Sequence, residues 1–331
     1  MGLALIGLLA PLLLGIRLPG DPASAPPTDN WVFSFERRVR ARAERITKPK
    51  VVFVGGSNLM FGVKASALGE RIGRPVVNYG LIGPLGLDLI AQRAGEIIQP
   101  GDWVVIAPEY GHFYELPTNS WRIAWLRARV PVGTQPWWRD LWSRERAREK
   151  CARVPAWLSL PTEGFSNGPS GRSGKSTSPY ETGAFGSDGE MVFKRPDPAE
   201  SITRSVPDAA KQLNFQTSVG AEGFAHLRAL CERQHARLAI MPAIRITEPE
   251  QDYALIEEFE RRWVAYATER GASALLGPGE HTLRGKTYAF DTEYHLNDLG
   301  VQQMEGRLAA ALLRLFAKSI PAPLPASQPA P

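Results

Sequence analysis

Cysteine is nearly absent from this chain: Cys151 and Cys231 are the only two in 331 residues, with no CxxC spacing. That excludes a zinc site built on thiolates. One disulfide in an oxidising compartment or two buried free thiols both stay open. A massed run of one charge is lacking too. The net charge of +5 is mild, and Lys and Arg alternate with acids, as in Glu145-Arg146-Ala147-Arg148-Glu149. That is not the footprint of a nucleic-acid-binding protein. There is no internal repeat, and no glycine-rich loop of the kind that cradles phosphate; Gly55-Gly56 alone is not one. Neither a metal nor an organic cofactor is expected. Long apolar runs are missing as well. The longest, Leu3 to Ile16, is shorter than the roughly 20 residues that span a bilayer.

What is present suits a large folded domain. Hydrophobic residues make up 44%, charged residues 22%, and there are nine tryptophans, which argues against disorder over most of the length. The run LALIGLLAPLLLGI, stopped by Arg17, has the length of the apolar core of an export signal, although no Lys or Arg precedes it. Ala23-Ser24-Ala25 resembles a cleavage site, but the following Pro26 opposes cleavage. Residues 1–30 therefore read as an uncleaved anchor or a cleaved signal with its linker, and the chain as exported: membrane-anchored or periplasmic. A core helix is the alternative, opposed by the Pro-rich stretch that follows.

Trp31 to Ile46 reads as a basic amphipathic helix. Short apolar runs at 50–54, 75–78, 103–107, 238–242 and 273–276 read as buried parallel strands. Helical patterns at 65–73, 85–98, 221–237, 251–270 and 298–316 lie between or after them. This alternation predicts an α/β fold, a three-layer doubly wound parallel sheet, over 31–318. The rhythm lapses at about 112–219, which reads as an insertion. Its first part carries Trp121, Trp125, Trp137, Trp138, Trp142 and Trp157, read as core or as a surface for stacking on sugars or a membrane interface. Its second part, Pro161 to Glu190, is rich in Gly, Ser, Thr and Pro and is expected to bury little. Residues 319–331 are expected to be disordered.

Chemistry in an open α/β sheet collects at the carboxyl ends of the strands. The first strand ends in Gly55-Gly56-Ser57-Asn58, where two glycines let the chain turn and expose the Ser57 hydroxyl; a plain strand-to-helix turn reads equally well from this stretch alone. Serine needs an imidazole to take its proton, and a carboxylate to orient that imidazole. Asp291-Thr292-Glu293-Tyr294-His295-Leu296-Asn297, just before the last helix, offers both. Of the other histidines, His112 is a weaker candidate, His226 and His235 read as surface or capping residues, and His281 sits in a polar loop. Glu109 reads either as an ion-pair or turn-capping residue, or, with Tyr110, as a pocket floor.

Ser57 after a first strand, Val77-Asn78-Tyr79-Gly80-Leu81-Ile82-Gly83 after a second, and Asp and His before a last helix resemble the SGNH (GDSL-like) hydrolase family, over about 50–111 and 221–316. The resemblance implies Ser57 as nucleophile, the Gly83 N–H as an oxyanion donor and His295 as base, oriented by Asp291. It implies a serine esterase or O-acyltransferase acting on small acyl esters such as acetyl. This variant is similar to exported members associated with acylation of cell-envelope polysaccharide, so the implied partner is a carbohydrate or other ester. Three departures stand out. The first block reads Gly-Gly-Ser-Asn. The block that normally supplies an oxyanion asparagine reads Ala107-Pro108-Glu109-Tyr110-Gly111, so that either Asn58 or the Tyr110 hydroxyl substitutes or the enzyme is slow. Asp291 is four residues before His295 instead of three, with Glu293 as the weaker alternative orienter. These departures also fit a non-catalytic glycan-binding or scaffolding module of the same fold. A flavodoxin-like or receiver-like binding domain is a third, weaker reading.

Overall fold

The computed structural model describes residues 31–113, 178–195, 198–200, 202, 214–248 and 254–318. By contacts the chain divides into two compact units, Met1–Ser34 with Pro117–Ser173, and Phe35–Leu116 with Gly174–Pro331. The second holds nearly all the described residues. The expected N-terminal export segment, the tryptophans of the insertion, Cys151 and the C-terminal tail lie outside them. No helix among the described residues is long and apolar enough to cross a membrane.

The elements in chain order begin with helix α1 (Trp31–Glu44) and strand β1 (Val51–Gly55), followed by α2 (Ser57–Gly62), α3 (Ala65–Ile72), β2 (Val76–Gly80), α4 (Leu87–Ala94) and β3 (Trp103–Ala107). After the insertion come α5 (Val219–Gln234), β4 (Arg237–Ile240), β5 (Arg245–Thr247), α6 (Ala254–Thr268), β6 (Ser273–Ala274), β7 (Thr282–Arg284) and α7 (Asp298–Lys318). Five strands form a parallel sheet in the order β2-β1-β3-β4-β6, so the chain is α/β as expected. A separate parallel pair, β5-β7, was not foreseen: three residues carry too little pattern to read.

β1, β2 and β3 are almost wholly buried, which explains their Val-rich, largely apolar content. Val51, Phe53, Val76, Trp103, Val105 and Ala239 join Leu68 and Ile72 of α3 and Leu308 and Leu312 of α7 in one core. α4 and α5 pack on each other and against β1 and β4. At the amino ends of β1 and β3, the Lys50 ammonium donates to Asp102 Oδ2 at 2.7 Å with both side chains fully buried. This pair fixes the register in which β1 and β3 start, Val51 beside Trp103. The chain runs from β1 outward to β2 and then returns past β1 to β3. The strand order thus reverses between β1 and β3, and a crevice opens at their carboxyl ends.

Two expectations are corrected. The helix read at 85–98 spans only Leu87–Ala94, because Gly83–Leu85 forms a 3₁₀ turn and Gly86, at φ +81°, cannot continue it as a right-handed helix. The last third of the Gly/Ser-rich stretch is packed, contrary to the reading that it buries little. Ala184 and Phe185 are buried, and the Phe185 ring lies 4.9 Å from that of Phe35. The Arg38 guanidinium donates to the carbonyls of Thr182 (3.2 Å), Phe185 and Gly186 (3.1 Å). Arg42 meets Asp188 at 3.2 Å and Glu190 at 3.1 Å, while the Ser66 hydroxyl donates to Glu190 at 2.6 Å. A polar segment is held here by the cations of α1, which hydrophobic pattern alone does not disclose.

Candidate active site

β1 delivers the chain into the crevice and α2 starts there, with Ser57 as its first residue. Neither Gly55 nor Gly56 has a positive φ. They are required by closeness instead. A Cβ on Gly55 would stand 2.3 Å from the Ala107 carbonyl oxygen, and one on Gly56 2.3 Å from Glu109 Oε1. The expectation of a sharp glycine turn is thus replaced by one of close approach between β1 and the exit of β3.

The structure brings together the serine, the histidine and the aspartate that the sequence singled out. His295 Nε2 lies 2.9 Å from Ser57 Oγ. His295 Nδ1 lies 2.7 Å from Asp291 Oδ1. The four-residue spacing works because the turn is tight: Phe290 N–H donates to the His295 carbonyl at 2.8 Å, and Tyr294 N–H to Thr292 Oγ1 at 3.2 Å. Glu293 makes no such contact with the ring; its carbonyl accepts from Ile246 N–H at 2.7 Å.

Three residues around the imidazole carried no sequence signal. Phe61, one turn of α2 beyond Ser57, stacks on the His295 ring with centroids 3.9 Å apart and planes 15° apart. Tyr180, from the stretch held by α1, donates its hydroxyl to Asp291 Oδ2 and sits 3.3 Å from His295 Nδ1. Arg195 lies over the Phe61 ring at 5.2 Å and donates to the Phe61 carbonyl at 3.3 Å. Burial alone would raise the Asp291 carboxyl; the hydrogen bond and charge of His295, together with Tyr180 and the Thr292 N–H, outweigh it and hold the group below its usual range. Burial, and then the Asp291 charge, push the Tyr180 hydroxyl up. Burial pulls the Arg195 guanidinium down to about 10 against the pull of Asp298 and Asp291.

Glu109 lies beside Ser57, and no arginine among the described residues pairs with it. Its Oε1 accepts from the Ser57 hydroxyl at 2.9 Å and from the Asn58 N–H at 3.0 Å. Its Oε2 rests on Gly83, where a Cβ would come within 2.1 Å. The carboxylate therefore fills the space between the start of α2 and the Gly83 turn.

The two suggested substitutes for the missing asparagine point elsewhere. Asn58 is fully buried, its amide aimed at the Ala107 carbonyl at 3.4 Å; only its backbone N–H faces the site. Tyr110 is buried beneath the floor and donates to Glu260 Oε1 at 2.5 Å. Glu260 also accepts from Arg245 at 3.0 Å and meets His281 Nε2 at 2.8 Å, a buried cluster that the sequence did not disclose. Burial would raise the Glu260 carboxyl, but His281, Arg245 and Tyr110 together hold it down to about 2. His112 Nε2 lies 3.1 Å from the Gly83 carbonyl and supports that turn. His235 caps the end of α5 in the left-handed region, φ 52°. Among the described residues no group of His, Cys, Asp and Glu could hold a metal ion, and Cys231 is a buried free thiol raised to about 12 by burial.

None of the protein-family models, curated proteins or solved structures compared with this chain matches it.

Proposed function

We propose that the chain is a serine ester hydrolase or O-acyltransferase of the SGNH type, with the doubly wound, three-layer fold of that family. The observation that carries this reading is the continuous line from Asp291 Oδ1 through His295 to Ser57 Oγ, with contacts of 2.7 and 2.9 Å. Asp291 holds Nδ1 in its protonated form, which leaves Nε2 to take the Ser57 proton as Oγ attacks an acyl carbonyl. The imidazolium then hands that proton to the departing alkoxide, and water or a sugar hydroxyl resolves the acyl-enzyme. Phe61 fixes the ring plane by stacking, and Tyr180 stabilises the Asp291 carboxylate. A small acyl group such as acetyl, on an extracytoplasmic carbohydrate, is the proposed substrate. That part rests on the resemblance of the GGSN, PEY and DxxYHLN stretches and on the apolar N-terminal run.

Hydrolysis of p-nitrophenyl acetate by the full chain tests the reading. Activity should vanish to background in Ser57→Ala, and a fluorophosphonate probe should form an adduct at Ser57. Full activity in Ser57→Ala would sink the nucleophile assignment. One observation favours a second reading, a glycan-binding or scaffolding module without catalysis: Glu109 sits where an oxyanion donor is needed. Such a module would give no adduct at Ser57 at any pH.

A further inference from the structure

Resting on the esterase reading, we propose that Glu109 is a proton-operated gate of the oxyanion site. As a carboxylate it occupies the seat of the substrate carbonyl oxygen, and as a carboxylic acid it yields the seat and donates a hydrogen bond to the oxyanion. Four observations lead here. Glu109 Oε1 takes the Asn58 N–H at 3.0 Å and the Ser57 hydroxyl at 2.9 Å, so the donor and the nucleophile are both engaged by it. Gly56 and Gly83 leave room for this carboxylate and for little else, since a Cβ on either would come within 2.3 and 2.1 Å of its oxygens. No Lys or Arg among the described residues forms an ion pair with it, so its polar partners here are the Ser57 hydroxyl and the Asn58 N–H. The two groups that might have stood in as side-chain donors, Asn58 and Tyr110, are turned into the interior.

The proton count points the same way. The Ser57 hydroxyl has one proton and two partners at 2.9 Å, Glu109 Oε1 and His295 Nε2. While Glu109 is ionised it accepts that proton's hydrogen bond, and the hydroxyl then has no proton to point at His295 Nε2. With Glu109 neutral, the hydroxyl turns to an unprotonated Nε2. The Oγ–C bond forms, the proton passes to Nε2, and the carbonyl π pair moves to the oxygen, which accepts from Asn58 N–H and the Glu109 O–H without taking its proton. Collapse breaks the C–O bond to the leaving group, which receives the proton from Nε2.

Among the described residues, the titratable groups around Glu109 are few. On the turn before α7 stand His295 and, behind it, Asp291; on the turn after β3 stand Tyr110, engaged with Glu260, and His112, engaged with the Gly83 carbonyl. α2 and the Gly83 turn bring no charged side chain to it.

The test is the pH dependence of kcat/KM for p-nitrophenyl acetate in the full chain and in Glu109→Gln, Glu109→Ala and Ser57→Ala. In the wild-type chain activity should fall on the alkaline side by about tenfold for each pH unit. Glu109→Gln, neutral and of equal length, should hold a plateau there, so that its advantage over the wild type grows by about tenfold with each further pH unit. Glu109→Ala, with neither plug nor donor, should also lose the alkaline fall but stay below Glu109→Gln. Ser57-dependent activity whose alkaline limb is the same in all three chains overturns the gate and leaves the esterase reading standing. Absence of Ser57-dependent activity in every chain at every pH overturns the esterase reading, and the gate with it.

Discussion

At the scale of single residues, the site is a line of acceptors arranged around few protons. Asp291 accepts from both His295 and Tyr180, so the imidazole is oriented even though its carboxylate is partly exposed. Asp291→Asn should keep the fold but offer Nδ1 a donor or a weak acceptor, letting the wrong tautomer form. We expect kcat to drop by about 10³–10⁴-fold with KM little changed, read by steady-state kinetics. Tyr180→Phe keeps the ring beside Phe61, whose centroid is 5.8 Å away, and removes only the donated hydrogen bond. The expected cost is about 1 kcal/mol in urea unfolding, at the low end for a bond to a charged group because Asp291 is partly solvated. The pH signature follows from the depressed Asp291 carboxyl. Its contribution to stability is complete above the ordinary carboxylate value and is lost as pH falls through the lower folded value. Tyr180→Phe should move that loss to higher pH, visible as a displaced acid limb in unfolding midpoint against pH.

Among the elements, the strand ends decide where the candidate site sits, and the interior beneath them decides how firmly. Gly55→Ala would drive a Cβ to 2.3 Å from a backbone oxygen of β3, which no rotamer change relieves. A loss of about 1–3 kcal/mol is expected in denaturant unfolding, accompanied by loss of activity because Ser57 and Glu109 separate. Under the site, Glu260 neutralises buried Arg245 and binds Tyr110 and His281. Glu260→Gln should destabilise by about 3–5 kcal/mol, since it strands a buried cation. In the intact protein the Glu260 contribution is present above its ordinary value and disappears as pH falls through about 2. The strands and long helices were legible because burial on both faces leaves unbroken apolar runs, and because the helices keep one apolar stripe. The approach of Ser57, His295 and Asp291 was legible because a serine after a strand end and an imidazole beside a carboxylate form a recognisable pairing. Tyr180, Arg195 and the Glu260 cluster were not, since their partners lie 15 to 150 residues away and polar pairing has no period. Glu109 was visible as a departure from a familiar block; its place against Gly56 and Gly83 needed the fold.

For the whole molecule, the question is how a Gly- and Ser-rich segment comes to serve a site built on the sheet. Residues 178–195 carry Tyr180 at one end and Arg195 at the other, and between them lie the contacts to α1. Arg38 holds three carbonyls of this segment and Arg42 two of its carboxylates. Glu190 adds two bonds to the start of α3. Loops of such composition bury little apolar surface, so their order depends on these polar ties, each modest but cooperative along a short stretch. Arg38 is remote from the reacting atoms in chemistry, touching neither Ser57, His295 nor Asp291. Arg38→Ala should therefore leave β1 to β3 intact while freeing 178–195. Hydrogen exchange should show faster exchange of amides at 182–193 with unchanged protection in the sheet. kcat should fall about tenfold or less, as it does when a supporting group is lost and the catalytic line remains. A double variant with Tyr180→Phe should cost little more than either alone, because both act through the same hydroxyl. Additive losses would instead mean that Arg38 steadies the sheet itself, and that the segment is cover for the site without being part of its support.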